Sequence, residues 1–291
     1  MPIPRLTIGR ATVHLLNDGF WWDDGGAMFG AVPRTLWERE HPADPRNRIH
    51  MSLVCPLVEA DGEIILVDTG IGDRLSQKEA GIYRPERGAG LVGQLALLGL
   101  DPEDVTMVIL SHLHFDHCGG IVRREPADGL GVTFPRARHI VQGRELRVAL
   151  APPNARLAAA YRHVPQCFEP LAARLLQPLD GSTSLTPSVR TVVTGGHTPT
   201  HQCVIVESDG AGLVHLADLA PTTSHLRPAW TAGYDLDPLQ VLEEKERILS
   251  EVVAKSWWVS FDHDVRIASA RLLAGPGGPA IADSVHTPPL D

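Results

Sequence analysis

The segment Ser111–His117, which reads Ser-His-Leu-His-Phe-Asp-His, constrains this chain more than any other feature. Three imidazoles and a carboxylate lie within six consecutive positions, directly after the apolar stretch Val105–Leu110. Burying such polar groups without partners costs several kcal/mol, and neutral imidazole and carboxylate are ligands that zinc and similar ions prefer. Because His112 and His114 are two residues apart, both can point the same way in an extended loop. The Asp-His pair that follows can reach a second ion.

Length and charge limit the class of protein. The chain has 291 residues, of which 43% are hydrophobic and 21% charged, enough for a large core in one or two domains. We see no long linker and predict a single domain over residues 1–291. The net charge is -9 and no Lys/Arg run is present, so a nucleic-acid partner is not expected.

Cysteine usage and the N-terminus bear on the compartment. Cys55, Cys118, Cys167 and Cys203 are scattered and form no CxxC pair, which argues against a disulfide framework and favours reduced, buried thiols. The first residues lack the basic and apolar regions of a signal peptide, and no apolar run approaches the roughly 18 residues that span a bilayer. We therefore predict a cytoplasmic protein without a membrane partner.

Strand and helix patterns occur in both halves of the chain, which indicates an α/β protein. Strands are predicted at 11–16, 52–58, 63–67, 105–110 and 257–261, with a further strand-rich stretch over 189–217. A helix is predicted over 90–100, and another begins at Asp237-Pro238, with Leu239 and Leu249 on its apolar face. Residues 144–179 are rich in Ala, Leu and Arg but interrupted by prolines, which predicts a helical insert over the site.

Three more candidate ligands follow predicted strands. His197 lies in the sequence Gly-Gly-His-Thr-Pro-Thr-His, Asp218 follows an apolar strand, and His263 follows the strand at 257–261. Loops at strand ends are where a rigid scaffold presents reactive groups. Each signal is weak alone, but together and in this order they indicate one site.

The ordered set HxHxDH, GGHTPTH, strand-Asp and strand-His resembles the metallo-β-lactamase superfamily of metallohydrolases. The resemblance extends from the turn at Asp68-Thr69-Gly70 to His263. It implies an αβ/βα sandwich, in which two mixed β-sheets face each other with helices outside and a binuclear metal site lies along one edge. Asp116 stands where the thiolate-using β-lactamases carry Cys, which resembles the hydrolase branches instead.

The resemblance also implies a role for each matching residue. The first ion would be held by His112, His114 and His197, the second by Asp116, His117 and His263, and both by the bridging Asp218. Asp68 would orient a ligand imidazole, as such ligands usually require. We expect two divalent transition-metal ions, Zn²⁺ first among them, although this nitrogen and oxygen donor set also suits Fe, Mn or Co.

Within the superfamily, the chain most resembles the lactonase-like group that includes N-acyl-homoserine lactonases and related esterases. In that group the segment around 18–30 borders the substrate, so Met28 and Phe29 are candidate substrate contacts. With Trp21 and Trp22 they could instead form an apolar interface of a homodimer.

One position departs from that group. Its members carry a Tyr three residues after the bridging Asp, where this chain has Pro221. Another group, such as a side chain within 222–225, must then stabilise the oxyanion, or the substrate differs. We therefore expect weak activity on long-chain N-acyl-homoserine lactones.

The leading functional prediction is a binuclear metallohydrolase that opens a lactone or cleaves a related small ester. A metal-bridging hydroxide would attack the carbonyl, and Asp116 would act as the catalytic proton carrier to the leaving alkoxide. Hydrolysis of thioesters, as by glyoxalase II, or of organophosphates is the alternative within this chemistry. A mononuclear iron dioxygenase acting on persulfides and a metal-binding regulator without turnover are alternatives from other classes.

Overall fold

The computed structural model describes residues 2–125, 129–171 and 173–290. The strands are β1 Arg5–Ile8, β2 Ala11–Asp24, β3 Arg48–Ala60, β4 Glu63–Val67, β5 Met107–Ile109, β6 Val122–Arg124, β7 Leu130–Val132, β8 Arg138–Gln142, β9 Leu176–Leu179, β10 Thr183–Ser184, β11 Val189–Val193, β12 Gln202–Ser208, β13 Ala211–His215, β14 Trp258–Ser260, β15 Ile267–Leu273 and β16 Ala280–His286. The α-helices are α1 Gly25–Phe29, α2 Arg34–Trp37, α3 Gln77–Tyr83, α4 Gly90–Leu97, α5 Phe115–Cys118, α6 Gly143–Leu150, α7 Ala155–Ala160, α8 Val164–Phe168 and α9 Pro238–Lys255. Among the described residues, no helix is both long and apolar enough to cross a membrane.

Two seven-stranded sheets form the body of the protein. The first has the order β1-β2-β3-β4-β5-β8-β9 and the second the order β10-β11-β12-β13-β14-β15-β16, while β6 and β7 form a separate hairpin. In the first sheet β4, β5, β8 and β9 run parallel, and in the second β13 and β14 do, whereas the other neighbouring pairs are antiparallel. Both sheets are therefore mixed, and the predicted α/β architecture is confirmed.

The core lies between the sheets and under the helices. Val13 and Ile65 of the first sheet belong to one buried cluster with Val204 and Leu213 of the second. Separate buried clusters join the first sheet to the helices around α4 and α6, and the second sheet to α9. Each sheet is thus apolar on both faces, which gives four layers from helix to helix. The four cysteines are buried and free.

Parallel pairing brings the polar strand ends together. Because β4 and β5 run parallel in register, Asp68 and the HxHxDH loop leave the first sheet at the same edge. The parallel pair β13 and β14 does the same for Asp218 and His263 in the second sheet. Ser52 joins the two edges, since its hydroxyl donates to the carbonyl of Asp262 at 2.8 Å. The edge of the sandwich is therefore a rigid frame for the predicted ligands.

The helical insert ends earlier than predicted. Helices α6, α7 and α8 occupy 143–168, but Leu176–Leu179 form β9 and pair in parallel with β8 at the sheet edge. The prediction of a helical element to 179 is therefore wrong over its last residues. Pro178 is accommodated because an edge strand leaves one side of its backbone unpaired.

Helix α9 begins as predicted but buries a somewhat different face. The side chain of Asp237 accepts a hydrogen bond from the backbone N–H of Gln240 at 3.1 Å, which caps the helix. Val241 and Ile248 are buried, whereas Leu239 is 70% exposed. The first turn packs on the loop after β11 through Gln240 and Val241, which leaves Leu239 facing solvent, so its predicted apolar contact is not made.

Candidate metal centre

A first group of ligand atoms converges at the sheet edge. His112, His114, His197 and Asp218 each offer one ligand atom, and these atoms all lie within 4.8 Å of one another. The Nε2 atom of His197 is 3.0 Å from Oδ2 of Asp218 and 3.1 Å from Nδ1 of His114. Three imidazole nitrogens and one carboxylate oxygen make a four-donor set for a divalent ion.

A second group lies on the other side of Asp218. Its Oδ1 atom is 3.7 Å from Nε2 of His117 and 3.4 Å from Nε2 of His263. The two oxygens of this one carboxylate therefore face two different groups of imidazoles. That is the geometry of a carboxylate that bridges two ions.

Two further carboxylates approach the second group from opposite directions. Oδ2 of Asp116 is 3.5 Å from Nε2 of His117 and 3.3 Å from Nε2 of His263, so it faces the free nitrogens of both rings. Oδ2 of Asp262 is 3.7 Å from Nδ1 of His117, the nitrogen that is already bonded to Asp68. Asp116 therefore fits the ligand set better, although Asp262 also lies within 4.8 Å of its members.

Hydrogen bonds hold four of the five imidazoles with Nε2 toward the group. Nδ1 of His117 donates to Asp68 at 3.0 Å, and Nδ1 of His263 donates to the carbonyl of Ser52 at 2.9 Å. Nδ1 of His197 donates to Oδ1 of Asp235 at 2.8 Å. The hydroxyl of Ser111 likewise bonds Nδ1 of His112 at 3.0 Å. These partners fix the tautomer that leaves Nε2 as a lone-pair donor.

Asp68 anchors this network where β4 ends. Its Oδ1 accepts the backbone N–H of Ser111 at 2.7 Å, and its Oδ2 accepts the Ser111 hydroxyl at 2.6 Å beside His117. Burial opposes the charge of Asp68, but the hydrogen bond and charge of His117 hold its pKa well below the usual range. The structure therefore places this carboxylate where the resemblance implied, behind a ligand imidazole.

Buried nitrogen and oxygen atoms without hydrogen bonds indicate whether these residues fit metal ions. Nε2 of His112, Nε2 of His117 and Oδ1 of Asp218 are buried and have no hydrogen-bond partner among the residues that the structure describes. Orphaned buried polar atoms are rare in proteins because each costs about 1–3 kcal/mol. All three point into the two groups and are chemically suited to divalent transition metals. The residues thus fit two ions.

The charges of this buried cluster also favour the binding of cations. Burial lowers the pKa of His114 to about 3. Burial likewise opposes protonation of His197, yet the charge of Asp218 raises its pKa to about 10. Without an ion, the buried carboxylates draw protons onto the imidazoles. Bound cations would supply the same compensation and leave the nitrogens free to coordinate.

A cavity of about 350 Å³ opens above the ligands and includes His114, Asp116, Asp218 and His263 in its lining. This volume is at the small end of the roughly 300–1,000 Å³ that is usual for small-molecule sites. Trp21, Met28 and Phe115 are among the apolar side chains of its wall. The cavity therefore has an apolar wall and a floor of candidate metal ligands.

The insert supplies another part of this wall. Arg156, Leu157, Ala159 and Ala160 of α7 line the cavity, together with Arg162. The insert also holds the GGHTPTH loop, since Glu145 of α6 accepts hydrogen bonds from Thr198 and Thr200. The helical segment is thus in contact with both the ligand loop and the cavity.

Phe29 and the hydroxyl candidates of 222–225 are placed elsewhere. The ring of Phe29 stacks on His225 at 4.9 Å and is fully buried outside the cavity lining that the structure describes. Thr223 donates to Asp264, and Ser224 donates to Glu40. Because both hydroxyls already donate within the protein and neither residue is among the described residues that line the cavity, the structure gives no support for an oxyanion donor at Thr223 or Ser224.

Four residues of the site were not predicted from the sequence: Asp23, Tyr234, Asp235 and Asp262. Asp262 could have been suspected, because it adjoins His263 at a strand end. Asp235 is 38 residues from His197, its partner, and no local pattern links them. Asp23 and Tyr234 both line the cavity and are hydrogen-bonded to each other.

Comparison with known families agrees with this geometry. Residues 54–273 match the family model described as the metallo-beta-lactamase superfamily. An N-acyl homoserine lactonase from Bacillus cereus is 28% identical over 236 residues, which cover 76% of this chain and 84% of that protein. Another from Azorhizobium caulinodans is 33% identical over 174 residues, 56% of this chain and 60% of the relative.

Solved structures extend the similarity to nearly the whole chain. A probable metal-dependent hydrolase from Staphylococcus aureus has a TM-score of 0.88 and 30% identity, with coverage of 97% of this chain and 98% of that one. A dizinc quorum-quenching lactonase in complex with its product has a TM-score of 0.77 at 20% identity, with coverage of 97% and 96%. At 20% identity, the similarity to the dizinc lactonase shows a shared fold and nothing more.

Proposed function

The chain belongs to the metallo-β-lactamase superfamily, and we propose that it is a binuclear hydrolase that opens lactones or cleaves related carboxylic esters. The observation that carries the proposal is the position of Asp218, whose Oδ2 faces one group of imidazoles and whose Oδ1 faces another. A single-ion enzyme would have no use for the second group with its orphaned His117 nitrogen. This favours hydrolysis over the mononuclear dioxygenase alternative.

The residues around the cavity have separable roles in this proposal. When bound, two divalent ions would supply a hydroxide nucleophile and polarise the scissile carbonyl. Asp116 lies on the cavity floor, where its carboxylate can hold the proton that hydroxide loses on attack and pass it to the leaving alkoxide. For a lactone, water and the ring together yield one hydroxy acid. Trp21, Phe115 and Leu157 would contact the carbon skeleton and exclude bulk water.

The donor set suits Zn²⁺ but does not by itself distinguish it from other divalent transition metals. Its donors are imidazole nitrogens and carboxylate oxygens without a thiolate, which is compatible with Zn²⁺ and also with Fe, Mn or Co. Metal analysis of purified protein therefore belongs in the same experiment as the substrate screen.

The test is a hydrolysis screen on metal-quantified protein. Lactones, aryl esters, thioesters and phosphotriesters are compared, and we expect two ions per chain and the highest kcat/KM on lactones or aryl esters. Asp218→Asn should lose an ion and most activity, whereas Asp283→Asn, a change at an exposed carboxylate in β16, should lose neither. Preference for a thioester or phosphotriester would favour those alternatives. One iron per chain with oxygen uptake on a persulfide would refute the proposal.

A further inference from the structure

Two of the four cysteines lie side by side next to the ligand loop. Cys118 is the last residue of α5, directly after His117, and Cys167 lies in α8 of the insert. Both side chains are buried in the same apolar cluster, and their thiols are hydrogen-bonded to each other. The pair therefore joins the ligand loop to the insert, although the two residues are distant in the chain.

Arg74 lies against this pair. Its Nη2 atom is 2.7 Å from Sγ of Cys167 and 3.4 Å from the carbonyl oxygen of Gly119, the residue that follows Cys118. Its Nη1 atom is 3.5 Å from the side-chain oxygen of Gln166. Of these partners, which are those found within the described ranges, Cys167 is the one that can carry a negative charge. A buried guanidinium favours a charged partner, so the structure favours the thiolate of Cys167.

These contacts give the two sulfurs different roles. The hydrogen bond from Cys118 lowers the pKa of Cys167, and the charge of Arg74 lowers it further, although burial raises it. A thiolate is the form of cysteine that reacts with oxidants, and reactive cysteines often lie beside a second, resolving thiol. Cys167 is therefore placed as the reactive thiol and Cys118 as the resolving one.

Both thiols are buried, so their oxidation requires a small oxidant and a local movement. The residues between Cys167 and solvent are suited to such a movement, because Arg74 is half-buried, Gln166 is exposed and α8 has only five residues. Short surface elements open locally at a much lower cost than global unfolding. Hydrogen peroxide is small enough to enter through such an opening.

We propose that Cys118 and Cys167 form a reversible disulfide on reaction with hydrogen peroxide, and that this cross-link weakens binding of the ion in the second ligand group. The Cys167 thiolate attacks the O–O bond, which leaves a sulfenic acid on Cys167 and releases hydroxide. Cys118 then attacks this sulfur, the S–O bond breaks, and the proton of Cys118 leaves with the hydroxyl group as water. Two electrons pass from the two sulfurs to the peroxide.

The cross-link reaches the metal centre through α5. Bonded sulfurs are about 2.05 Å apart, closer than two hydrogen-bonded thiols, so α5 or α8 must move when the bond forms. Helix α5 also carries Asp116 and His117, and ligand distances are fixed to within about 0.2 Å. No cysteine belongs to either ligand group in the described part of the chain, so the oxidation removes no donor. Weaker binding would therefore result from displacement of the ligands.

The test is treatment of the zinc-loaded protein with hydrogen peroxide. Peptide mapping by mass spectrometry without reductant identifies cross-links, and competition with a chelator measures the affinity for Zn²⁺. We expect a linked pair of peptides that contain Cys118 and Cys167, and a fall of roughly tenfold or more in the affinity of the weaker binding step. A thiol reductant should reverse both changes.

Three variants control the experiment. Cys167→Ser should form no cross-link and should keep its Zn²⁺ affinity in peroxide. Cys203→Ser removes another buried thiol, which contacts the carbonyl of Leu216 at 3.5 Å, and it should cross-link as the wild type does. Arg74→Gln removes the charge beside Cys167 and should slow the cross-linking by about tenfold. Thermal midpoints are measured for all three, and Cys167→Ala replaces Cys167→Ser if the latter does not fold.

The outcomes decide each part of the inference. If peroxide leaves Cys118 and Cys167 unlinked in the wild type, or oxidises Cys167 only to the sulfinic acid, the disulfide is refuted. If cross-linked protein binds both ions as tightly as reduced protein, the effect on the metal centre is refuted. Neither measurement uses a substrate, so failure here leaves the proposed hydrolase function standing, and a negative hydrolysis screen leaves this inference standing.

Discussion

Replacing Asp68 with Asn should weaken metal binding without removing any ligand. The change keeps the size of the side chain, and Asn tolerates the left-handed backbone at this position, where φ is 57°. An amide can still accept the N–H of Ser111 through its oxygen. Its NH₂ group then faces Nδ1 of His117, and two donors cannot bond to each other. His117 must move its proton to Nε2, the atom that faces the second ligand group.

The size of this effect follows from the role of Asp68. Loss of a partner that orients a metal-bound imidazole typically costs 10–100-fold in metal affinity, or about 1.4–2.8 kcal/mol. Turning the amide over does not avoid the loss, because its NH₂ would then face the N–H of Ser111. We therefore expect the metal affinity of the weaker of the two binding steps to fall by roughly 10–100-fold, and the affinity of the stronger step to change less.

The assay is titration of metal-free protein with Zn²⁺ in competition with a chelator, together with NMR of the histidine ring nitrogens. Asp61→Asn is a matched control. Asp61 also has a positive φ, at 55°, and also accepts both the N–H and the hydroxyl of a serine, Ser188, but it lies in a turn remote from the ligands. Wild-type affinity for both ions in Asp68→Asn, with His117 still protonated on Nδ1, would refute the reasoning.

Three further predictions follow from the same geometry. Asp116→Asn should lower kcat by at least about 10²–10⁴-fold, as expected for a proton carrier that is also a ligand; a near-native rate with two ions bound would contradict its role. Asp262→Asn should lower the pKa of the His263 imidazole in the metal-free protein, because the negative charge of Asp262 helps to raise that pKa above its usual range; NMR titration of the ring measures the shift, and an unchanged pKa would contradict the role of Asp262. Pro221 offers neither a side-chain donor nor an N–H, so kcat/KM on long-chain N-acyl-homoserine lactones should fall below about 10⁵ M⁻¹s⁻¹, and a higher value would show that another donor compensates.

The candidate ligands could be located from the sequence because their signals are local. His112, His114 and His117 lie within one short loop after a strand, and Asp218 and His263 each follow a strand directly. Their positions at strand ends indicated one site, and the resemblance to the metallo-β-lactamase superfamily implied how they are grouped. Parallel pairing within each sheet places Asp68 beside the HxHxDH loop and Asp218 beside His263.

The cavity wall could not be predicted in the same way, because residues that contact each other there are distant in the chain. Tyr234 and Asp23 are 211 residues apart, and their meeting depends on the backbone contact between Gly233 and Ala27. The sequence instead favours hydroxyl groups near Pro221, because they are close to it in the chain. The structure uses them instead to hold the loop, as with the bond of Ser224 to Glu40.

The segment before α9 carries parts of both the candidate metal centre and the cavity wall. Asp218 bridges the two ligand groups, Asp235 orients His197, and Tyr234 lines the cavity, all within twenty residues. A backbone shift in this loop that altered the cavity would also move the partner of a metal ligand. Helix α7 of the insert contributes Leu157 and Ala160 to the same cavity but no ligand. Changes in the apolar cavity wall that α7 supplies are therefore separate from the candidate metal ligands, whereas a change at Tyr234 adjoins the partner of His197.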